Sequence, residues 1–172
     1  VSLFPVSTRM KITFLGGGNM AAALIGGMLG KGFDAAAVQV IEPDAAAGAR
    51  LASTFGVRVT DHPDAAALAC DALVLAVKPQ QMRAALAPLA GRLHRTLVIS
   101  IAAGLRVDNL ARWLGAAGQP YARIVRCMPN TPALAGVGVT GLYAAAEVDR
   151  EGRALAERIM GAVGITLWTD DE

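Results

Sequence analysis

Gly16-Gly17-Gly18-Asn19-Met20-Ala21 follows the first apolar run of the chain, residues 11–15, and opens its first helical pattern. This is a G-x-G-x-x-A turn between a strand and a helix. Gly16 permits a tight turn, Gly18 lets a bound group approach the backbone, and Ala21 lets the helix pack closely on the strand. Because the positive end of a helix favours an anion, the segment predicts a pyrophosphate site and hence a bound dinucleotide. A glycine-rich turn without a ligand is the alternative, which the flanking strand and helix disfavour.

The chain outward from this turn alternates short β-branched runs with Ala- and Leu-rich helical stretches. This alternation predicts an α/β fold, a doubly wound Rossmann-type and mostly parallel sheet with helices on both faces. The predicted strands are residues 11–15, 38–41, 57–59, 73–77, 96–101, 123–126, 137–143 and 165–168, and the predicted helices are residues 19–31, 44–55, 63–69, 79–89, 107–114 and 149–163. The pattern starts at Met10, so residues 10–172 are predicted to form one dinucleotide-binding domain, and residues 1–9 an N-terminal extension or an expression remnant.

Composition and charge exclude several classes of protein. Hydrophobic residues make up 54% of the chain and charged residues 17%, so the chain can bury a core and is not disordered. The net charge is +2 with scattered arginines, which gives no nucleic-acid footprint and no membrane-binding stripe. Cys70 and Cys127 lack metal-ligand spacing and a disulfide framework. We therefore expect no metal, no nucleic-acid or membrane partner, and a cytoplasmic protein with reduced thiols.

Glu42 ends the second predicted strand, where an acid contacts the adenosine ribose in this type of fold. A carboxylate there can accept both ribose hydroxyls of NAD and would repel the 2′-phosphate of NADP, so Glu42 favours NADH. Arg50, in the following helix, could offset that repulsion by folding back. Alternatively, Glu42 and Arg50 are only a solvated edge of the molecule. The residues leave the choice between NAD(H) and NADP(H) open.

Three later segments follow predicted strands and should converge on the nicotinamide, because ligands of open α/β sheets bind across the carboxyl ends of the strands. They are Ala76-Val77-Lys78-Pro79, Ser100-Ile101-Ala102-Ala103-Gly104 and Arg126-Cys127-Met128-Pro129-Asn130-Thr131-Pro132. The small side chains of Ala102 and Ala103 would let a flat ring come close. Prolines on both sides of Asn130 and Thr131 should hold this pair in a stiff, extended loop that orients a carboxamide or a ribose. Lys78 could face the phosphates or act through its backbone alone.

These segments, in this order, resemble the signatures of pyrroline-5-carboxylate reductases, namely the phosphate loop, A-V-K-P, S-x-A-A-G and R-x-M-P-N-T-P. The resemblance extends from Met10 to Glu172. It implies NAD(P)H-dependent reduction of a small cyclic imine, 1-pyrroline-5-carboxylate, to L-proline. It also implies a cofactor site lined by residues 18–21 and 76–78 with Asn130 and Thr131. The family favours NADPH and commonly carries Asn, Ser or Thr in the place of Glu42.

In that family the chain continues into a helical domain that forms the dimer and binds the substrate. The resemblance therefore implies that the whole protein is a homo-oligomer through a domain absent here, and that the substrate-binding residues lie outside this chain. We expect the chain alone to bind a dinucleotide and to turn over little or no substrate. The catalytic residues are unknown, and Asn130 and Thr131 are placed only near the nicotinamide. Two alternatives stay open, another β-hydroxyacid or imine dehydrogenase of the same superfamily, and a non-catalytic module that senses a dinucleotide.

Overall fold

The computed structural model describes residues 10–172, so the extension predicted for residues 1–9 lies outside the described residues. In the described part, eight strands alternate with six α-helices. The strands are β1 (Ile12–Leu15), β2 (Val38–Ile41), β3 (Arg58–Thr60), β4 (Ala72–Leu75), β5 (Leu97–Ser100), β6 (Ile124–Pro129), β7 (Gly138–Ala144) and β8 (Gly164–Trp168). The helices are α1 (Asn19–Gly30), α2 (Ala45–Phe55), α3 (Ala65–Leu68), α4 (Pro79–Leu86), α5 (Val107–Leu114) and α6 (Arg150–Met160). Short 3-10 turns lie at Ala35–Ala37, Ala87–Leu89, Thr131–Ala135 and Gly161–Val163.

All eight strands form one sheet in the order β3-β2-β1-β4-β5-β6-β7-β8. Neighbouring strands are parallel from β3 to β6, β7 runs antiparallel to β6, and β8 runs parallel to β7. The first strand, β1, lies inside the sheet, and the chain extends from it to one side through β2 and β3 before it crosses to β4 on the other side of β1. This reversal creates the crevice at which ligands of doubly wound sheets bind. The predicted fold class is confirmed.

Helices cover both faces of the parallel part, which explains why β1, β2, β4 and β5 are buried at every position. On one face, Phe14 of β1 packs in a cluster with Leu24 of α1, Leu51 of α2 and Ile159 of α6. The second cluster, on the other face, contains strand residues together with residues of α3, α4 and α5. No helix in residues 10–172 is both long and apolar enough to cross a membrane.

Two strand ends differ from the sequence prediction in ways that matter for the site. Strand β4 ends at Leu75, so Ala76 and Val77 belong to the following loop instead of the strand. Strand β6 continues to Pro129, three residues beyond its predicted end. The extension follows from the pairing with β7, which extends from Val125 to Pro129 and leaves much of the predicted third loop inside the sheet.

Candidate functional site

Four loops leave the carboxyl edge of the sheet side by side, because the start of each loop is hydrogen-bonded to the end of the neighbouring strand. The first backbone N–H beyond each strand donates to the last carbonyl of its neighbour. These hydrogen bonds are Glu42 to Thr60 (2.8 Å), Gly16 to Ile41 (2.9 Å), Ala76 to Leu15 (2.8 Å) and Ile101 to Leu75 (3.2 Å). The structure thereby brings together the predicted loops after β1, β2, β4 and β5.

Gly16 makes the sharp turn that starts the loop after β1. Its φ is +99°, a backbone conformation that residues other than glycine rarely adopt. A Cβ added there would lie 2.9 Å from the carbonyl oxygen of Ala76 and 2.9 Å from Cγ1 of Val77. The loops after β1 and β4 are therefore in direct contact, and the predicted role of Gly16 in the turn is confirmed.

Gly18 precedes α1 and faces open space. Its backbone is extended, with φ −70° and ψ −175°, so its conformation does not require glycine. A Cβ added there would meet no protein atom within 4 Å. No described side chain caps α1, and the first N–H to donate along the helix is that of Ala22, to the carbonyl of Gly18 (2.9 Å). The arrangement fits a pyrophosphate, since it offers room beside the backbone and N–H groups at the positive end of a helix.

Glu42 is anchored to the phosphate-binding turn. Its Oε2 accepts the N–H of Gly17 (2.8 Å), and its Oε1 accepts the N–H of Asp44 (2.9 Å). Leu51 packs against the same turn, and a Cβ at Gly17 would overlap its Cδ1. Arg50 is exposed, and among the described residues it forms no ion pair with Glu42. Glu42 is thus a fixed part of the turn, and the folding back of Arg50 that the sequence left open is not observed.

The loops after β4 and β5 present small groups and backbone. Lys78 precedes α4 with an exposed side chain, and its carbonyl accepts the N–H of Gln81 (2.9 Å). Pro79 occupies the first turn of α4, as predicted. After β5, Ala102 is buried, whereas Ala103 is exposed in a turn. A flat ring could therefore lie against this loop without meeting a large side chain.

Asn130 and Thr131 are held differently from the prediction. Arg126 of β6 is level with Ser100, and Asn130 follows four residues later, about 13 Å further along the strand direction. Asn130 accepts the N–H of Val139 on its Oδ1 (2.9 Å) and donates its own N–H to the carbonyl of Val139 (3.3 Å). Thr131 starts a 3-10 turn that contacts α1.

The prediction of an extended loop is therefore wrong for Thr131, because the hairpin of β6 and β7 closes at this point. Asn130 remains extended, with φ −98° and ψ 169°. Its side-chain oxygen is engaged within the hairpin, so only the NH₂ group of this amide is left to donate to a ligand.

Cys127 is a structural residue of the sheet. It is buried on β6, and burial raises the pKa of its thiol, which disfavours the nucleophilic thiolate. In the part of the chain that the structure describes, no three His, Cys, Asp or Glu side chains lie close enough together to hold a metal ion.

Sequence reasoning missed two contacts of these loops. Leu51 could have been found from the apolar stripe of α2, which must face the sheet. Glu172 accepts the N–H of Val107, at the start of α5, across 65 positions in the sequence (2.6 Å). No local pattern could have indicated that contact.

Comparison with known proteins places these features in a family. Residues 11–104 match the family described as NADP oxidoreductase coenzyme F420-dependent. The pyrroline-5-carboxylate reductase of Pseudomonas aeruginosa is 45% identical over 163 residues, which are 94% of this chain and 58% of that protein. The enzyme of the same name from Vibrio alginolyticus is 38% identical over 163 residues, again 94% of this chain and 58% of that protein.

Solved structures show the same relationship. A pyrroline-5-carboxylate reductase from Coxiella burnetii superimposes with a TM-score of 0.88 at 39% identity, over 95% of this chain and 60% of that one. The pyrroline carboxylate reductase of Plasmodium falciparum, solved with NADP bound, gives a TM-score of 0.80 at 25% identity, over 95% of this chain and 58% of that one. The chain thus spans less than two thirds of the length of these relatives.

Proposed function

The chain belongs to the family described as NADP oxidoreductase coenzyme F420-dependent, and on this premise we propose that it is the cofactor-binding part of a pyrroline-5-carboxylate reductase. The reaction would be the NAD(P)H-dependent reduction of 1-pyrroline-5-carboxylate to L-proline. Support comes from relatives of that name, which match 94% of the chain at up to 45% identity. The four predicted signature segments lie within the matched region.

The proposal of a nicotinamide dinucleotide depends most on one observation, the open space at Gly18. Glycine is present although the backbone there does not require it, and the first-turn N–H groups of α1 point to no capping side chain in the described chain. A pyrophosphate would fill that space and accept those N–H groups. Glu42 would then contact the adenosine ribose from the adjoining loop.

The other half of the dinucleotide would lie across the loops after β4 and β5. When bound, the reduced nicotinamide supplies a hydride. Its ring would be positioned, and shielded from water on one side, by Ala76, Val77, Lys78, Ala102 and Ala103. The imine carbon would then be held within roughly 3–3.5 Å of C4 of the nicotinamide. Since a protonated imine is already electrophilic, the chain needs no acid or base of its own for this step. The carboxylate of the imine would be bound by residues in the part of the relatives that this chain does not match.

A two-stage experiment tests the function. First, NADH and NADPH are titrated against the purified chain while their fluorescence is followed. Second, cofactor oxidation with 1-pyrroline-5-carboxylate is measured for the chain alone and for a chimera that continues it with the unmatched part of the Pseudomonas aeruginosa relative. We expect the chain alone to bind a dinucleotide with little or no turnover, and the chimera to form proline. Absence of dinucleotide binding would refute the function, and full turnover by the chain alone would refute the assignment of the substrate contacts.

For the choice of cofactor, we propose a preference for NADH. The Glu42 carboxylate is held in place by two backbone N–H groups, so it cannot easily turn away from a 2′-phosphate. Glu42→Ser should therefore tighten NADPH binding about tenfold or more, since juxtaposed like charges cost several kcal/mol, and should weaken NADH binding. Glu147→Ser, which removes an exposed acid outside these loops, is the matched control. Equal NADPH affinity in wild type and Glu42→Ser would refute the preference for NADH and limit Glu42 to holding the turn.

A homo-oligomeric whole protein and a cytoplasmic location stay predictions. Light scattering on the chain and on the chimera addresses the first, because we expect the larger assembly only for the chimera.

A further inference from the structure

The segment after β8 carries a buried carboxylate, that of Glu172, beside the candidate nicotinamide site. Thr169 donates its N–H to the carbonyl of Leu142 (2.9 Å), which continues the pairing of β8 with β7. The chain then brings Glu172 to the start of α5, where its side chain is only 7% exposed. Its Oε1 accepts the N–H of Val107 (2.6 Å) and lies 3.1 Å from Nη1 of Arg126, and its Oε2 lies 3.2 Å from Nε of Arg106.

Glu172 acts as the cap that α5 lacks in its own sequence. Arg106, the residue before the helix, makes no capping hydrogen bond with its side chain. A carboxylate on the first N–H group of a helix satisfies a donor that has no partner in the helix, and it also interacts favourably with the positive helix end. Glu172 supplies this group from 65 positions away.

The same carboxylate forms ion pairs with two arginines. Arg126 is 17% exposed, and its Nε is buried without a hydrogen-bond partner in the described part of the chain. Without Glu172, the poorly solvated charge of Arg126 would lose this carboxylate, whereas Arg106, whose side chain is 68% exposed, would be hydrated. The contact that holds the start of α5 near β6 would be lost with it.

We propose that Glu172 is a positioning residue for the β5–α5 loop, defined as residues 101–106. This loop is tied to the sheet at one end by the bond from Ile101 to Leu75 (3.2 Å) and at the other end by Glu172. It carries Ala102 and Ala103, against which the nicotinamide end of the cofactor would lie, so the inference rests on the proposed function. Glu172 would set the place of the ring without contacting it.

Binding of a whole and of a shortened cofactor tests this role. NADH uses both halves of the site, whereas ADP-ribose lacks the nicotinamide and should reach only the phosphate turn and Glu42. We expect Glu172→Ala to weaken NADH binding about tenfold, the loss expected for one hydrogen bond to a charged group, and to leave ADP-ribose binding unchanged. Glu172→Gln keeps an oxygen for Val107 but not the charge, and should fall between wild type and Glu172→Ala.

Asp170→Ala is the matched control, because Asp170 is an exposed acid in the same segment. Amide hydrogen exchange at Val107, followed by NMR, should accelerate in Glu172→Ala and stay unchanged in Asp170→Ala. Unchanged NADH affinity in Glu172→Ala, or equal weakening of NADH and ADP-ribose, would overturn the positioning role while leaving the proposed function intact. If the wild-type chain binds neither compound, the proposed function fails, and the inference fails with it.

Discussion

Replacing Gly18 with alanine should remove dinucleotide binding without unfolding the protein. The backbone at Gly18 has φ −70° and ψ −175°, and an added Cβ meets no protein atom within 4 Å, so alanine fits the unliganded fold. The free energy of unfolding should change by less than about 1 kcal/mol, since alanine is a poorer cap but loses less entropy than glycine on folding. The methyl group would, however, occupy the space that we assign to the pyrophosphate.

The size of the binding loss follows from the N–H groups at the start of α1. A phosphate held away from them forfeits about two charge-assisted hydrogen bonds of roughly 1.5–3 kcal/mol each. The total of about 3–6 kcal/mol corresponds to a loss of affinity of about a hundredfold or more. Titration calorimetry with NADH measures this loss, and urea unfolding measures stability on the same samples.

Gly30→Ala is the matched control for Gly18→Ala. Gly30 is the last residue of the same helix, and a Cβ there also meets no atom within 4 Å. We expect Gly30→Ala to bind NADH as tightly as wild type. A folded Gly18→Ala protein with wild-type affinity would refute the reasoning, because the phosphates would then lie elsewhere.

Three further outcomes are expected. Gly16→Ala should lower the free energy of unfolding by about 1–3 kcal/mol in urea titrations, because it places a side chain at φ +99° and against the carbonyl of Ala76; unchanged stability would mean that the turn relaxes easily. Cys127 should resist iodoacetamide in the folded protein and react in urea, as mass spectrometry of each cysteine would show, because burial raises the pKa of its thiol and excludes the reagent. The hydrogen bond from Arg123 (3.0 Å) lowers the pKa of Asp149 below its usual value of 3.8. The ionised carboxylate therefore stabilises the fold fully above pH 3.8, and this stabilisation is lost as the pH falls through the lowered pKa. Asp149→Asn should therefore lower Tm at neutral pH and show a smaller acid-induced loss than wild type below about pH 4, and identical acid profiles would contradict this assignment.

Much of the fold could be predicted because it depends on neighbours in the sequence. The turn at Gly16 needs a residue that tolerates positive φ, and the sequence shows glycine at that place, between an apolar run and a helical pattern. Pro79 marks the start of α4 because its missing N–H is no loss in the first turn of a helix. The continuous apolar character of β4 and β5 predicts strands covered on both faces. Composition and residue order thus determined the doubly wound sheet and the positions of the loops that form the candidate site.

The remaining features are set by contacts between distant segments. Because β7 runs back antiparallel to β6, its hydrogen bonds lengthen β6 to Pro129. Thr131, which was predicted to be extended, lies in a 3-10 turn instead, and local sequence propensity indicates neither feature. Glu42 looked like a surface acid or a ribose ligand in the sequence, and only the folded chain shows its carboxylate on the N–H of Gly17. Glu172 has no pattern around it that indicates a helix cap. Side-chain sterics and hydrophobic periodicity act over a few residues and can be recognised in the sequence, whereas the partner of a polar group is decided by which segments the packed sheet brings together.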